Sequence, residues 1–425
     1  MKTIVVLVSI IFFISCSPEN EGQIAKKQDY NAFLKTAPSG TTSKYFELWN
    51  SKIKPDSAQL LSLGKVASEY GRFFKETGNI TYLKKAEKAL VKATEIANVG
   101  KAGYRRALAR NYISQHRFKE ALRLAEEAQQ IGGGRAQTRN LLFDIHMELG
   151  NYTVAEKYLD SIRNMSDFDY LIRLSKWNDY KGDLDTTIKF MERAKTIAET
   201  SKNKGLMLWS FTNLADYYGH AGRIKDSYDH YLKALALDEN NAYAKKGIAW
   251  IVYSHDKNPT EALRILDAIT KTYDAPDYHL LKAEIADYMG NEPVHKSNLD
   301  NYFLQVEKLG YGDMYNGYTL DLYLEETKQY GKAMEIAKQE VSNRPTPESY
   351  SWLAYTYYKI GDIAKAQELM DAYVDGKTLE PGLLYKAAEV YKANGKFNKV
   401  KEIKEELMGA LYELGPSMRE QIHKL

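Results

Sequence analysis

The sequence predicts an all-α solenoid built from about ten stacked helix pairs. Three observations support this: helix breakers are few, apolar residues recur at helical spacing, and short turns return at regular intervals. The 425 residues include only 10 Pro and 27 Gly against 33 Tyr, and 44% are hydrophobic. Tyrosine combines a large apolar ring with a polar tip, which suits wide helix-packing surfaces.

The charge and cysteine content exclude several classes of function. Lys and Arg total 59 against 56 Asp and Glu, which gives a formal charge of +3. This near balance gives no electrostatic reason to expect a nucleic-acid partner, because such proteins carry strongly basic surfaces. Cys16 is the single cysteine, so neither an intramolecular disulfide nor a cysteine-based zinc site is possible.

Residues 1–15 have the features of a signal peptide. Lys2 supplies a positive charge, and the apolar run over 4–14 is shorter than the ~20 residues that a spanning helix needs. Ser15 precedes Cys16, and a polar stretch follows. The arrangement resembles a bacterial lipoprotein signal, although Phe13 stands where such signals usually carry Leu. The alternative is an ordinary secretory leader.

The lipoprotein resemblance carries an implication for location. It implies that Cys16 becomes the acylated first residue, with palmitate-type chains anchoring the protein in a bacterial envelope membrane. We expect the outer membrane, and the sequence leaves open whether the protein faces the periplasm or the cell surface.

Candidate turns recur along the chain with a mean spacing of about 35 residues, which is the range of helix-pair repeats. Between them, apolar residues fall on single helical faces, most clearly at Phe211, Leu214, Ala215 and Tyr218. The candidate turn residues are Gly78, His116, Gly150, Gly182, Gly222, Asp256, Gly290, Lys328, Gly361 and Gly395.

These units resemble tetratricopeptide repeats over about residues 57–413. The family pattern is W-x2-L-G-x2-Y, then A-x3-F, then P. Here Phe211 or Tyr350 replaces the Trp, and Ala109, Ala215 or Ala354 replaces the Gly. The resemblance implies a right-handed superhelical solenoid whose concave surface is lined by the first helix of each unit. Another helix-pair solenoid is the alternative.

The flanking segments complete the predicted organisation. Polar residues after Cys16 suggest a tether, and solenoid ends require capping elements. The predicted divisions are a signal peptide at 1–15, a tether at 16–42, an N-terminal capping helix at 43–56, the repeat array at 57–413 and a C-terminal capping segment at 414–425.

The sequence offers little for catalysis. None of the eight histidines forms H-E-x-x-H, and the glycine run 132–134 lacks the Lys and the preceding strand of a phosphate-binding loop. The glycine run is instead typical of a turn between two units. We therefore expect no enzyme activity, no cofactor and no metal site.

Groove residues follow from the family's concave positions, taken unit by unit. The resemblance implies an arginine-rich, anion-attracting end and an aromatic remainder, since Tyr and Trp give large contact areas at low entropic cost. A register error of one position would turn several of them into packing residues. The implied set is Arg72, Arg106, Arg110, Trp209, Tyr243, Trp250, Tyr253, Tyr315, Tyr318, Tyr355, Tyr358 and Tyr385.

The predicted function is a membrane-anchored scaffold that binds a protein or peptide partner in its concave groove. Two alternatives remain open. One is a glycan- or nutrient-binding surface lipoprotein, which would stack sugar rings on the same aromatic side chains. The other is an accessory factor for envelope assembly. The sequence does not determine the oligomeric state.

Overall fold

The structure is a computed structural model that describes residues 22–35, 40–55, 58–273, 275–308 and 310–425. The predicted signal peptide and Cys16 lie outside these residues. Every regular element among the described residues is helical, and no strand occurs in them. The prediction of an all-α fold is confirmed.

Helices in the described residues pack as ten consecutive pairs, which we number as units one to ten, each with a first helix (A) and a second helix (B). Two short helices, α1 (Lys27–Tyr30) and α2 (Lys44–Asn50), precede the pairs. The pairs are α3 (Leu60–Thr77) with α4 (Ile80–Ile96), α5 (Lys101–Ile113) with α6 (Phe118–Ile131), α7 (Arg135–Glu148) with α8 (Tyr152–Ser161), α9 (Phe168–Tyr180) with α10 (Leu184–Thr200), α11 (Lys204–His220) with α12 (Ile224–Leu237), α13 (Ala242–Trp250) with α14 (Pro259–Ile269), α15 (Pro276–Tyr288) with α16 (Glu292–Lys308), α17 (Asn316–Glu325) with α18 (Tyr330–Asn343), α19 (Pro347–Lys359) with α20 (Ile363–Tyr373), and α21 (Pro381–Ala393) with α22 (Phe397–Gly409). The helices α23 (Leu411–Leu414) and α24 (Met418–Lys424) follow.

Each of the ten predicted turn residues lies between the A and B helices of one unit. Nine of them have a left-handed backbone, which ends the A helix and reverses the chain. Unit six is the exception, because there Lys257 (φ 53°) takes the left-handed position that we predicted for Asp256. The end of its A helix is a π-helix, Ile251–His255, and the wider π turn delays the reversal by one residue.

Local sequence features account for how the pairs begin and pack. Pro276, Pro347 and Pro381 occupy the first helical position, where proline's missing N–H leaves no intrahelical hydrogen bond unmade. The predicted small residues of the A helices are completely buried, which lets neighbouring helix backbones approach closely. They are Ala109, Ala215 and Ala354.

The A helices form the inner layer of the array. A helices of neighbouring units contact one another at α5–α7, α7–α9, α11–α13, α17–α19 and α19–α21, whereas among the described residues no two neighbouring B helices pack as closely. Helices that converge must lie on the inside of a curve. We call the side formed by the A helices the inner face.

The array curves until its second turn packs against its first. The Tyr311 hydroxyl donates a hydrogen bond to the carbonyl oxygen of Gly78 (3.4 Å), and the turn at Gly150 abuts Pro345. The Gly78 turn also abuts Tyr273 and Ala275 in the loop before unit seven, so in units one and three the A–B turn meets the loop that precedes the sixth unit further along. We call this line of contacts the seam. The same relation joins Gly182 of unit four to Leu379, and Gly219 in the last turn of α11 abuts Tyr412, which follows unit ten.

The seam can be tested with two alanine substitutions. Gly150 (φ 71°) and Gly222 (φ 70°) both have left-handed backbones, so alanine costs about 1–2 kcal/mol at either site. A Cβ on Gly150 would lie 3.1 Å from the Pro345 carbonyl oxygen, whereas one on Gly222 would meet no atom within 4 Å. We expect Gly150→Ala to lower the free energy of unfolding by about 1–2 kcal/mol more than Gly222→Ala. Urea titrations followed by far-ultraviolet circular dichroism would measure the difference, and equal losses would contradict the seam at unit three.

The described part of the predicted tether, residues 16–42, packs on the array instead of extending from it. Ala25 (0% exposed) and Tyr30 (1% exposed) are buried in the apolar cluster of units five and six. We call residues 24–35 the docked segment. The tether prediction was therefore wrong for these residues, because a polar composition does not show that a few apolar side chains have a binding site elsewhere in the fold.

Backbone hydrogen bonds hold the start of the docked segment. The two carboxylate oxygens of Asp256, in the turn of unit six, accept hydrogen bonds from the backbone N–H groups of Ile24 (3.1 Å) and Ala25 (3.0 Å). The Tyr228 hydroxyl, on α12, accepts one from the N–H of Lys26 (3.1 Å). These contacts join residues about 200 positions apart in the sequence and satisfy backbone donors that would otherwise be buried unpaired.

Short elements cover both ends of the array. The ring of Phe46 on α2 lies 5.2 Å from that of Phe73 on α3. At the other end, α24 packs on α22 and buries Ile422 completely. The linking residues 411–417 lie in the seam, where the carbonyl oxygen of Tyr412 accepts a hydrogen bond from the indole N–H of Trp250 (3.1 Å).

Candidate functional site

Three of the predicted aromatic residues present large exposed rings on the A helices. Trp209 on α11 is 39% exposed, Tyr243 on α13 is 53% exposed and Tyr318 on α17 is 55% exposed. Because these helices form the inner face, the three rings belong to units five, six and eight of that face. Exposed aromatic rings provide large contact areas for a partner.

Hydrogen bonds fix the orientation of Tyr243. Its hydroxyl donates to one carboxylate oxygen of Asp216 (2.7 Å), and Tyr231 donates to the other oxygen (2.5 Å). Burial raises the pKa of Asp216, while the hydrogen bonds from the two tyrosines lower it. Asp216 thus joins Tyr231 of its own unit to Tyr243 of the next unit, and the hydroxyl of the exposed Tyr243 ring is held in place.

A second carboxylate organises the inner face between units six and eight. Asp277 on α15 forms an ion pair with Lys246 of α13 (2.5 Å), and its other oxygen accepts a hydrogen bond from Tyr315 (3.2 Å). Burial raises the pKa of Tyr318, Lys246 lowers it, and Asp277 and Glu348 raise it further. Tyr318 therefore lies within electrostatic reach of charged groups from units six, seven and nine.

The three arginines that we predicted at one end of the groove do not form a single group. Arg110 on α5 is exposed by surface area. Partial desolvation of its guanidinium by the surrounding protein, and repulsion from Arg106 and Arg173, lower its pKa. Arg106 donates hydrogen bonds to the loop before unit three, including the carbonyl oxygen of Gly133 (3.0 Å). Arg72 lies apart and forms ion pairs with two glutamates of its own helix. Arg106, Arg110 and Arg173 therefore lie within electrostatic reach of one another, and Asp144, which pairs with Arg173 at 2.6 Å, offsets part of their charge.

Two predicted groove residues are buried and line no surface. Tyr253 is 0% exposed in the π-helical end of unit six's A helix, and Tyr355 is 3% exposed. The Tyr355 hydroxyl lies within hydrogen-bond distance of Glu325 (2.8 Å) and of Glu389, which come from the two neighbouring A helices. For Tyr253 the extra residue of the π turn rotates the side chain away from the family's concave position. Their prediction as exposed groove residues was wrong.

The remaining predicted aromatics are half-buried. Trp250 is covered by residues 411–417 of the seam, and Tyr315 packs beside Tyr311 at a ring separation of 5.1 Å. Tyr358 and Tyr385 line a cleft of about 370 Å³ near the C-terminus, together with Glu389, Lys392 and Lys424. These four aromatic residues therefore lie at separate sites and do not extend the exposed surface formed by Trp209, Tyr243 and Tyr318.

A second cleft lies in the seam and has a volume of about 520 Å³. It is lined on one side by Tyr152 and Tyr180, whose rings stack at 4.0 Å, and on the other by Tyr350 and Tyr373, whose rings stack at 3.7 Å. The sequence analysis missed this cleft and also missed Lys246, Asp216 and Asp277. Charged residues on a predicted helix resemble an ordinary solvated face, and the cleft exists only where two superhelical turns meet.

Two further classes of site were sought in the described part of the chain. No group of three or more His, Cys, Asp or Glu side chains there could hold a metal ion. No helix among the same residues combines the length and the apolar character that crossing a bilayer requires.

Comparisons with known proteins bear on the fold alone. No family model matches the chain, and no curated protein matches it. Chains of solved structures do match, among them one from a structure titled "Functional Characterization of Pseudomonas Aeruginosa pilF". It is 14% identical, covers 50% of this chain and 92% of its own, and superposes with a TM-score of 0.36. A similarity this low carries no functional argument, so the ten helix pairs themselves are what define a helical-repeat protein of tetratricopeptide-like fold.

Proposed function

We propose that the protein is a membrane-anchored scaffold that binds an extended segment of another protein on its inner face. Helical-repeat folds of this type generally serve protein–protein interaction through their curved surfaces. The observation that carries the proposal is the pair of exposed rings of Tyr243, which Asp216 orients, and Tyr318, with the Lys246–Asp277 ion pair between their units. Rigid aromatic anchors with adjacent polar groups are the usual centre of a binding interface.

The seam supports an extended partner over a folded one. Because the second superhelical turn packs against the first, the inner face is closed off along the seam by contacts such as Tyr311 with Gly78 and Trp250 with Tyr412. A partner then enters along the axis of the superhelix, where a narrow chain fits more readily than a globular domain. Extended segments can also bury alternate side chains in separate pockets.

A photo-crosslinking experiment tests the inner face. We expect a photoreactive phenylalanine at position 318 to trap a discrete protein in whole cells, whereas the same residue at the exposed position of Phe397 traps none. Replacing Trp209, Tyr243 and Tyr318 with alanine should then reduce trapping from a nearby inner-face position by at least about tenfold, since each anchor contributes about 1–2 kcal/mol.

Two checks accompany that experiment. The matched control replaces Tyr45 and Phe397, which are 45% and 64% exposed, with alanine. Far-ultraviolet circular dichroism should show unchanged helicity in both variants. Undiminished trapping by the triple variant would remove the inner face from the proposal, and an adduct made of carbohydrate would favour the glycan-binding alternative.

The membrane anchor of the proposal depends on Cys16. The apolar run before it, the preceding Ser15 and the absence of any other cysteine in the sequence support acylation there. We expect Cys16→Ser to abolish incorporation of radiolabelled palmitate and to move the protein from the membrane fraction to the soluble fraction. Ser17→Ala is a suitable control. Palmitate labelling that survives in Cys16→Ser would contradict the anchor.

A further inference from the structure

The docked segment determines where the N-terminal part of the chain meets the array. Its first residues are bound by Asp256 in the turn of unit six and by Tyr228 in unit five. Further along, the Tyr30 hydroxyl donates to Glu261 (2.8 Å), and the Lys27 ammonium lies 2.8 Å from the other oxygen of that carboxylate. The attachment therefore lies at the A–B turns of two middle units.

We propose that this attachment holds the A–B turns of units five and six toward a lipid surface. The inference rests on the anchor proposed at Cys16. Eight peptide steps separate Cys16 from Ile24, and a chain spans at most about 3.6 Å per residue, so the acylated residue lies within about 29 Å of the docked Ile24. This upper limit follows from covalent geometry and holds for every conformation of the residues between them.

That limit is short on the scale of the array. Helix α11 has 17 residues and is therefore about 26 Å long, so the lipid surface lies within about one helix length of these turns. Without docking, the first array helix, which begins at Leu60, would be joined to Cys16 by a stretch about five times longer. Docking thus changes the array from loosely tethered at one end to closely held near its middle.

The orientation has a consequence for the two edges of the array. The turns of units five and six face the lipid. The opposite edge, formed by the loops between units, is therefore about one helix length farther from the lipid. A partner bound on the inner face is then presented within a limited distance of the membrane surface, because the docked Ile24 lies within about 29 Å of the acylated residue.

Energy transfer from single labelled cysteines to a labelled bilayer tests this orientation. The acylated protein is placed in vesicles of phosphatidylethanolamine and phosphatidylglycerol that contain rhodamine-labelled lipid. Donor dyes are attached in separate variants at Thr260→Cys, Lys271→Cys and Lys101→Cys, all exposed in the structure. The added cysteine alone reacts, because lipid occupies the sulfur of Cys16. Position 260 lies beside the docked segment, position 271 at the opposite edge of unit six, and position 101 in unit two.

We expect transfer to be highest from position 260, about twofold lower from position 271 and lowest from position 101, following the separation of about one helix length between the edges. Adding Glu261→Gln, which weakens docking, should make the three efficiencies nearly equal, whereas the exposed control Glu405→Gln should preserve their order. Equal transfer in acylated protein without Glu261→Gln, or highest transfer from position 101, would overturn the orientation. Mass spectrometry of Cys16 separates this from failure of the anchor, because an unacylated Cys16 would contradict the anchor itself.

Discussion

The Glu261→Gln variant is expected to release the docked segment from the array at neutral pH. The side chain of Glu261 is 4% exposed and accepts hydrogen bonds from Tyr30, Lys27 and Arg264. Removing its charge weakens all three interactions, and hydrogen bonds to a charged group each contribute about 1.5–3 kcal/mol. We expect docking to weaken by about 2 kcal/mol, which corresponds to roughly thirtyfold faster amide hydrogen exchange in residues 24–30.

The same carboxylate makes docking sensitive to acid. Burial raises the pKa of Glu261, but hydrogen bonds from Arg264, Lys27 and Tyr30 outweigh burial and lower it to about 2. A lowered pKa in the docked state means that docking is favoured above the ordinary pKa of about 4.5 and weakens as the pH falls from about 5 toward 2.

Hydrogen exchange at several pH values, corrected for the intrinsic rate, would show both effects. In the unmodified protein, protection of residues 24–30 should decrease below pH 5, and Glu261→Gln should remove most of this dependence. Glu405→Gln changes an exposed carboxylate on α22 and serves as the control. Unchanged protection of residues 24–30 in Glu261→Gln at pH 7 would contradict a charge-dependent attachment.

The Glu284→Gln variant is expected to stabilise the C-terminal part of the seam at alkaline pH. Glu284 on α15 lies beside residues 411–417, and its neighbours are the hydroxyls of Tyr253 and Ser417 and the like-charged Asp287. Burial raises its pKa to about 7. The folded state therefore binds the proton more tightly than the unfolded state, and stability falls as the pH rises from about 4.5 to about 7.

A second group in this part of the seam responds to pH in the same direction. The Glu413 carboxylate contacts the His220 ring at 2.8 Å, and this hydrogen bond raises the pKa of His220. Burial also raises the pKa values of Asp179 and Glu380, which face His220. The protonated histidine pairs with Glu413 and lies within electrostatic reach of the two other carboxylates. Its contribution is present below pH 6.5 and is lost as the pH rises through the raised pKa.

Amide hydrogen exchange of residues 411–417 would measure the contributions of Glu284 and His220 to the stability of the seam. In the unmodified protein, amide exchange of these residues, corrected for the intrinsic rate, should accelerate between pH 5 and pH 8. Glu284→Gln should slow it by about tenfold at pH 8, since the raised pKa corresponds to about 1–3 kcal/mol, and should leave it unchanged at pH 5. Glu413→Gln should have the opposite effect at pH 6, because it leaves His220 without its partner. Faster exchange in Glu284→Gln at pH 8 would refute the assignment.

Much of the repeat architecture could be predicted because its causes are local. The turns at Gly150 and Gly222, the prolines that begin α15, α19 and α21, and the small buried residues of the A helices all act within one unit or between neighbours. Helical periodicity and turn chemistry are encoded within about ten residues of chain, so a single sequence shows them. The signal peptide and the acylation of Cys16 stay predictions from equally local patterns.

The candidate site could be predicted only in part, because side-chain exposure depends on register. Trp209, Tyr243 and Tyr318 are exposed on A helices as expected, whereas Tyr253 and Tyr355 are buried. A rotation of one residue in an α-helix turns a side chain by about 100°, which is enough to move it from a surface into a packing interface. The π turn of unit six produces such a rotation, and the sequence pattern of this unit did not predict a π turn.

The sequence by itself determined the helix pairs, their number and the position of nearly every turn. Only the tertiary structure decided that the array closes on itself along the seam and that residues 24–35 bind at Asp256 and Glu261. The physical reason is that small rotations between neighbouring units add up, and their sum over six units determines which distant loops meet. No single unit contains that sum, and the contacts it creates join residues about half the chain apart.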